Sequence, residues 1–539
     1  MAQPAQRRWY PIAFAIAALV LLPLSVLLLS WHEIDREIWS HLWATQMPRL
    51  LGNTVVLVLG VGAGVTLLGV SLAWLTSLCE FPGRRWLDWA LMLPFAIPAY
   101  VLAFVFIGLF DFSGPLQSLL REWFGSGIRF PRVRSTGGVI LVLVLVFYPY
   151  VYLLARNAFL AQGKGLMEAA RVLGQSPWQA FWHVALPMAR PAIGAGLALA
   201  VMETLADFGA VAVFNFDTFT TAIYKTWYGF YSLSSATQLA SLLLLAVMLV
   251  LYGERRARGA SRPANERARG HALYQLRGWR AALASGWCGL VFACAFVVPL
   301  LQLLVWFYQR GRFDLDERYV GLILHTLYLG GLAALVTVAV ALLLAFARRQ
   351  APTRPIHGAV SLANLGYALP GSVLAVAIML AFSYLDKQLV IPLSSWLGGA
   401  GKPLLLGSLA ALLLAYLIRF MAVAYGPLEN SLACIRPSLP EASRSLGVAG
   451  PQLFFRVYLP LLVPGALSAA LLVFVDVLKE MPATLLMRPF GWDTLSVRIF
   501  EMTSEGEWAR AALPALTLVL VGLLPVIGLI RRSARQPGH

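Results

Sequence analysis

Run after run of roughly twenty residues with few or no charged side chains marks this chain. That feature limits its fold more than any other. An α-helix rises about 1.5 Å per residue, so roughly 20 apolar residues cross a hydrocarbon core about 30 Å thick. Such runs lie near 11–31, 53–76, 87–110, 137–155, 191–213 and 235–252, then near 281–308, 322–347, 359–383, 404–418, 461–478 and 511–530. A soluble multidomain chain alternates apolar stripes with charges at helical spacing, and that alternation is almost absent. The chain is 59% hydrophobic and 12% charged with a mean hydropathy of +0.74, so its solvent is lipid. The expected fold is an all-α polytopic membrane protein of about twelve transmembrane helices. Arg7 and Arg8 precede the first run and Trp31, His32 and Glu33 follow it, with no small-residue cleavage site, so it reads as an uncleaved span.

A net charge of +17 raises the question of nucleic acid, but the basic residues sit in short loops, where they set membrane orientation instead. With a cytoplasmic amino terminus, 26 of the 42 Lys and Arg fall on the inner side, which predicts both termini inside. The segment 253–280 carries Arg255, Arg256, Arg258, Arg262, Arg267, Arg269, Arg277 and Arg280 and reads as a basic cytoplasmic linker. One outer loop dissents with Arg121, Arg129, Arg132 and Arg134. Cys79, Cys288, Cys294 and Cys434 lie in or beside apolar runs without CxxC spacing, as small packing residues do.

The chain is a tandem repeat. Glu168, Ala169, Ala170, Arg171, Gly174, Leu186, Pro187 and Pro191 recur 273 positions on as Glu441, Ala442, Ser443, Arg444, Gly447, Leu459, Pro460 and Pro464. Upstream, Pro98 matches Pro370 at an offset of 272; downstream, Asp217 and Thr218 match Asp493 and Thr494 at 276. The expected organisation is a first half over 1–252, the linker, and a second half over 281–539, each with six spans. Two copies inserted in the same direction predict a pseudo-two-fold axis along the membrane normal.

The repeat is sharpest in two inner loops, about 160–190 and 433–463, which are long enough to demand a function. Each reads as a helix around Glu-Ala, a turn at Gly, and a short aromatic helix ending at Leu-Pro. An interfacial helix resting on lipid is the plain alternative, but lipid does not require identical register. At these residues the chain resembles the membrane subunits of ABC importers, whose inner-loop signature is Glu-Ala-Ala, six residues to Gly, then a distal Leu-Pro. Ser443 replaces the last Ala in the second copy. The resemblance implies that Glu168, Ala169, Ala170, Gly174, Leu186 and Pro187, with Glu441, Ala442, Ser443, Gly447, Leu459 and Pro460, form two coupling loops. Each loop would dock on one of two copies of a cytoplasmic ATPase. The chain has no Gly-x-x-x-x-Gly-Lys-Ser/Thr loop, its nearest fragment being Gly163-Lys164-Gly165. The expectation is a permease that is not itself an enzyme and binds no cofactor, with ATP and Mg held by the partner.

Glu203 and Asp207 in the fifth run, and Asp476 and Glu480 in the eleventh, are expected to converge by symmetry. An ionisable group at mid-membrane costs roughly 2.5–3.5 kcal/mol on insertion scales, so it faces protein or water. Two readings stay open: a transient path for a hard cation, which favours oxygen ligands, or interhelical salt bridges and interface positions. The stretches 203–209, 215–227 and 477–489 resemble those of fused ferric-iron permeases. That implies an extracytoplasmic binding protein as a further partner and a bacterial inner-membrane location. Permeases for thiamine, sulfate, polyamines or phosphonates share the layout. A secondary transporter would show interrupted spans around a midplane site, and Pro94, Pro98 and Pro370 do interrupt spans, but it needs no paired docking loops. A membrane enzyme is disfavoured because His183, His325, His357 and the other His residues lack metal-ligand spacing.

Overall fold

The structure is a computed structural model describing residues 7–32, 34–125, 131–162, 170, 172–258, 274–396, 402–448 and 450–535. Among these, eleven helices are long and apolar enough to cross a membrane, and Trp508–Leu523 is a shorter apolar helix. We number the main helices of the first half α1 (Trp9–Leu29), α2 (Met47–Leu78), α3 (Ala99–Phe110), α4 (Thr136–Ala161), α5 (Leu186–Ala206) and α6 (Leu233–Arg258). The second half supplies α7 (Trp279–Gln309), α8 (Glu317–Gln350), α9 (Gly371–Leu385), α10 (Leu409–Cys434), α11 (Leu459–Lys479) and α12 (Trp508–Arg535). Large side chains such as Leu28, Leu59, Leu67 and Leu335 stand at 66–75% exposure, which is stable only against lipid tails.

Several bounds differ from the hydropathy reading, each for a local reason. The third and ninth spans are broken: a short helix and a 3₁₀ turn precede Pro98 and Pro370, whose extended backbone starts α3 and α9 afresh. The fifth span stops at Ala206 instead of reaching 213, because Asp207 turns extended. α10 continues to Cys434, well past 418, because Arg419 and Glu429 on it are paired and need not leave the helix.

Four π-helical segments, Phe181–Ala185, Ala293–Val297, Asp386–Val390 and Phe454–Tyr458, share one cause. Each is followed two residues on by proline: Pro187, Pro299, Pro392 and Pro460. A proline ring crowds the carbonyl four residues back, so the residue before it reaches one residue further for its acceptor and the helix widens. Leu186 accordingly donates to the Phe181 carbonyl and Leu459 to that of Phe454.

Close packing of helices uses glycine where lipid offers no hydrophobic drive between them. A Cβ at Gly64 would overlap Val144, and one at Gly69 would lie 2.7 Å from Val151 Cβ, so α2 and α4 approach backbone to backbone. A Cβ at Gly196 on α5 would meet the same Val151, lying 2.8 Å from its Cα.

The chain forms two compact units that cut across the repeat. One comprises 1–39, 223–244 and 315–498; the other comprises 40–222, 245–314 and 499–539. The first unit sets α8–α11 together with α1 and the start of α6. The second sets α2–α5 together with α7 and α12. Each unit thus takes its core from one half and its outer helices from the other. In the first unit Gln238 donates to the Ser30 carbonyl at 2.7 Å, tying α6 to α1, and Tyr10 bonds Thr353 at 2.9 Å. In the second, Arg510 pairs with Asp314 at 2.9 Å. Cys79–Glu80 forms a short parallel strand pair with Tyr274–Gln275, and Ser285 donates to the Pro82 carbonyl at 2.8 Å.

Candidate functional site

Two loops carry the repeated signature, and their described parts share one geometry. In the second half, Ser438–Ser445 is a helix bearing Glu441, Ala442 and Ser443; Gly447 then takes φ +81° and the Val448 N–H reaches the Ser443 carbonyl at 3.0 Å. In the first half Gly174 takes φ +76° and the Gln175 N–H reaches the Ala170 carbonyl at 3.0 Å. Both are six-to-one closures of a helix by a left-handed glycine. Glu168 and Ala169 lie outside the described residues, and Ala170 is buried. After each turn comes a short helix, Pro177–Ala180 or Gly450–Leu453, then the π segment, then Leu186-Pro187 or Leu459-Pro460 as the first residues of α5 and α11. In the first loop Ser176 and Gln179 form a reciprocal capping box that fixes the restart.

What these loops offer outward is apolar. Leu173 is 80% exposed and Leu446, its repeat partner, 83%; Trp182 and Phe455, also partners, are 49% and 63% exposed. The helices entering the loops are pinned at one repeated position with opposite polarity. Arg156 near the end of α4 makes a bidentate pair with Asp88, both bonds 2.5 Å, and the Tyr152 hydroxyl donates to the Asp88 carbonyl at 2.9 Å. Glu429, at the equivalent position of α10, pairs with Arg348 of α8 at 2.6 Å. Sequence reading missed both pins, although a charge near the loop-facing end of each fourth span was their visible signal.

Glu203, Asp207, Asp476 and Glu480 sit at helix breaks. Glu203 lies in the last turn of α5 and Asp207 just beyond it, while Asp476 and Glu480 take the same places on α11. Glu203 and Asp207 belong to one compact unit, Asp476 and Glu480 to the other. At each break the second acid accepts an amide of the next short helix: Val211 N–H to Asp207 at 3.1 Å, Ala483 N–H to Glu480 at 3.2 Å. A carboxylate at the positive end of a helix is favourable. The carbonyls of these acids are held as well, by Thr220 at 2.7 Å from Asp207 and by Thr484 at 2.6 Å from Glu480.

Beyond that frame the halves diverge. Glu480 is buried and pairs with Arg419 at 3.1 Å, while Arg419 also donates to the Leu369 carbonyl at 3.2 Å. Tyr416 and Thr484 bond at 2.6 Å beside them. The first-half counterparts of Arg419, Tyr416 and Thr484 are Val146, Leu143 and Val211. The second-half break is thus a polar, ion-paired strut, whereas the first half has aliphatic residues at these three equivalent positions. Among the described residues no group of three or more His, Cys, Asp or Glu is placed to hold a metal ion.

Residues 65–253 match the family of binding-protein-dependent transport system inner membrane components. The chain is 28% identical over 499 residues to the Fe(3+)-transport system permease protein FbpB 2 of Haemophilus influenzae, covering 90% of each chain. It is 30% identical over 199 residues to a probable sulfate transport system permease protein cysT of Chlorokybus atmophyticus, covering 36% of this chain and 67% of that one. Over 146 residues it is 32% identical to the molybdenum transport system permease protein ModB of Escherichia coli, covering 27% of this chain and 62% of that one.

Proposed function

Since this chain belongs to the family of binding-protein-dependent transport system inner membrane components, we propose that it is the fused permease of a ferric-iron importer, driven by separate ATPase subunits. The observation that carries the ATPase partnership is the pair of glycine-turned loops. Each presents an exposed leucine and an exposed aromatic residue, Trp182 or Phe455, at an offset of 273, and a surface repeated in register fits two copies of one soluble partner. Glu168 and Glu441 add charge to that contact, and Gly174 and Gly447 set its bend. Reversing a two-state equilibrium from about 1:99 to 99:1 takes roughly 5.5 kcal/mol of differential binding, a demand suited to nucleotide-driven closure of two partners. ATP and Mg are bound by those partners, and this chain holds no cofactor of its own.

Ferric iron as cargo is supported by the match spanning 90% of both this chain and the iron permease, whereas the sulfate and molybdenum relatives align with parts of it. Iron is delivered by an extracytoplasmic binding protein to the outer face of a multi-pass protein of the bacterial inner membrane with both termini in the cytoplasm. The two halves then open in alternation. Glu203 and Asp207 offer oxygen ligands to a hard cation in passing. Asp476 and Glu480 complete the path, with Glu480 held chiefly as a counter-ion.

The test is uptake of labelled iron by vesicles carrying the permease, its ATPase and its binding protein. Iron uptake with no sulfate uptake supports the cargo, and sulfate uptake alone overturns it. Glu203→Gln with Asp207→Asn is expected to lower iron uptake at least about tenfold, the equivalent of about 1.4 kcal/mol, while the complex stays assembled. Unchanged uptake would leave these acids as structural caps.

A further inference from the structure

We propose that Trp74 and Phe346 are coupling residues that link each docking loop to the first helix of the opposite half. The proposal rests on the reading of the loops as ATPase docking elements. Trp74 lies near the cytoplasmic end of α2, and Phe346 stands 272 positions later near the same end of α8. Both sit among other rings, Trp74 meeting Phe159 of α4 at 5.8 Å and Phe346 meeting Tyr458 at 5.0 Å between centroids. The Trp74 ring meets Phe181, in the π segment of the first loop, edge-on at 4.8 Å between centroids, and also meets Tyr274 at 6.0 Å. The Phe346 ring meets Phe454, in the π segment of the second loop, at 5.2 Å, and meets Trp9 at 6.3 Å. Phe181 and Phe454 are themselves repeat partners.

The far ends of these two chains of rings carry the argument. Tyr274 leads into α7 and Trp9 begins α1, and these are the helices that pack in the compact unit whose core comes from the other half. Tyr274 is further fixed to α2 by strand pairing with Cys79, and Tyr10, beside Trp9, is bonded to Thr353 just after α8. Each hub therefore touches a docking loop of its own half and the entry to the exchanged helix of the other. Rings are stiff and packed interiors yield little, so a shift of Phe181 or Phe454 has to displace its hub and with it the head of the exchanged helix. A force on one loop then acts on both halves at once. The two ends are built from unlike residues, Tyr274 in a strand and Trp9 in a helix. Their common feature is an aromatic face placed where the exchanged helix begins.

The test uses the permease with its ATPase in vesicles, reading ATP hydrolysed per cargo ion moved and recovery of the ATPase on co-purification. Wild-type recovery of the ATPase is read first, because its absence sinks the docking reading independently of this one. Trp74→Leu with Phe346→Leu is expected to raise ATP per ion at least about fivefold at undiminished ATPase recovery. Trp74→Phe, which installs the residue the second half already uses, should restore the ratio. Tyr274→Leu should raise the ratio like Trp74→Leu and add nothing when combined with it, as expected of members of one contact. An unchanged ratio, additive effects of Trp74→Leu and Tyr274→Leu, or loss of the ATPase from these variants each overturns the proposal.

Discussion

Replacing Gly174 and Gly447 together by valine is expected to strip the ATPase from the permease and reduce transport to background. Both glycines hold φ near +80°, and neither has any atom within 4 Å of where a Cβ would stand. The cost is therefore conformational and not steric crowding. A non-glycine residue in the left-handed region costs roughly 1–2 kcal/mol, and more for a β-branched one. Two loops engaging one dimeric partner make the losses additive, about 2–4 kcal/mol or 30- to 1,000-fold in affinity. Gly407→Val is the control, since Gly407 shares the conformation (φ +73°) and the empty surroundings but belongs to neither loop, standing in the connection between α9 and α10. Co-purification that survives the double substitution, or that falls equally with Gly407→Val, contradicts the docking role.

Breaking the Arg419–Glu480 pair is expected to cost more stability than removing it. Their side chains are 13% and 5% exposed, so Arg419→Met strands an acid and Glu480→Gln strands a guanidinium in a membrane interior. Loss of one partner of a buried pair costs about 3–5 kcal/mol. The neutral double variant Arg419→Met with Glu480→Gln leaves no stranded charge and should recover most of that loss, as Val146 shows that an aliphatic residue serves at the equivalent place in the first half. Thermal unfolding in detergent distinguishes the cases. The account expects two strongly destabilised single variants and a double variant near wild type; additive destabilisation contradicts it.

The membrane fold and the repeat were legible because both are written in residue type and spacing. Long uncharged runs admit few other folds, and the Glu-to-Gly-to-Leu-Pro spacing survives at a fixed offset. The turn at Gly174 and Gly447 was legible for the same reason, since a glycine at a helix end announces a left-handed residue. The exchange of α1 and α7 between units left no mark in hydropathy, because an apolar helix carries no label for which neighbour it joins. The break at Asp207 was hidden by averaging over a window in which Gly209 and Ala210 still read as apolar. At α10 the error ran the other way: Arg419 signalled an end to the span, yet its partner on another helix, Glu480, let the helix continue. Trp74 and Phe346 recur at the repeat offset but read as ordinary apolar residues until the rings on either side are located.

The most direct measurement of the central claim is cargo movement in sealed vesicles with and without the ATPase subunits and ATP. The account predicts accumulation only when permease, binding protein, ATPase and ATP are all present, and none when hydrolysis is blocked. Uptake at full rate by the permease alone, with no nucleotide-hydrolysing partner, would contradict it.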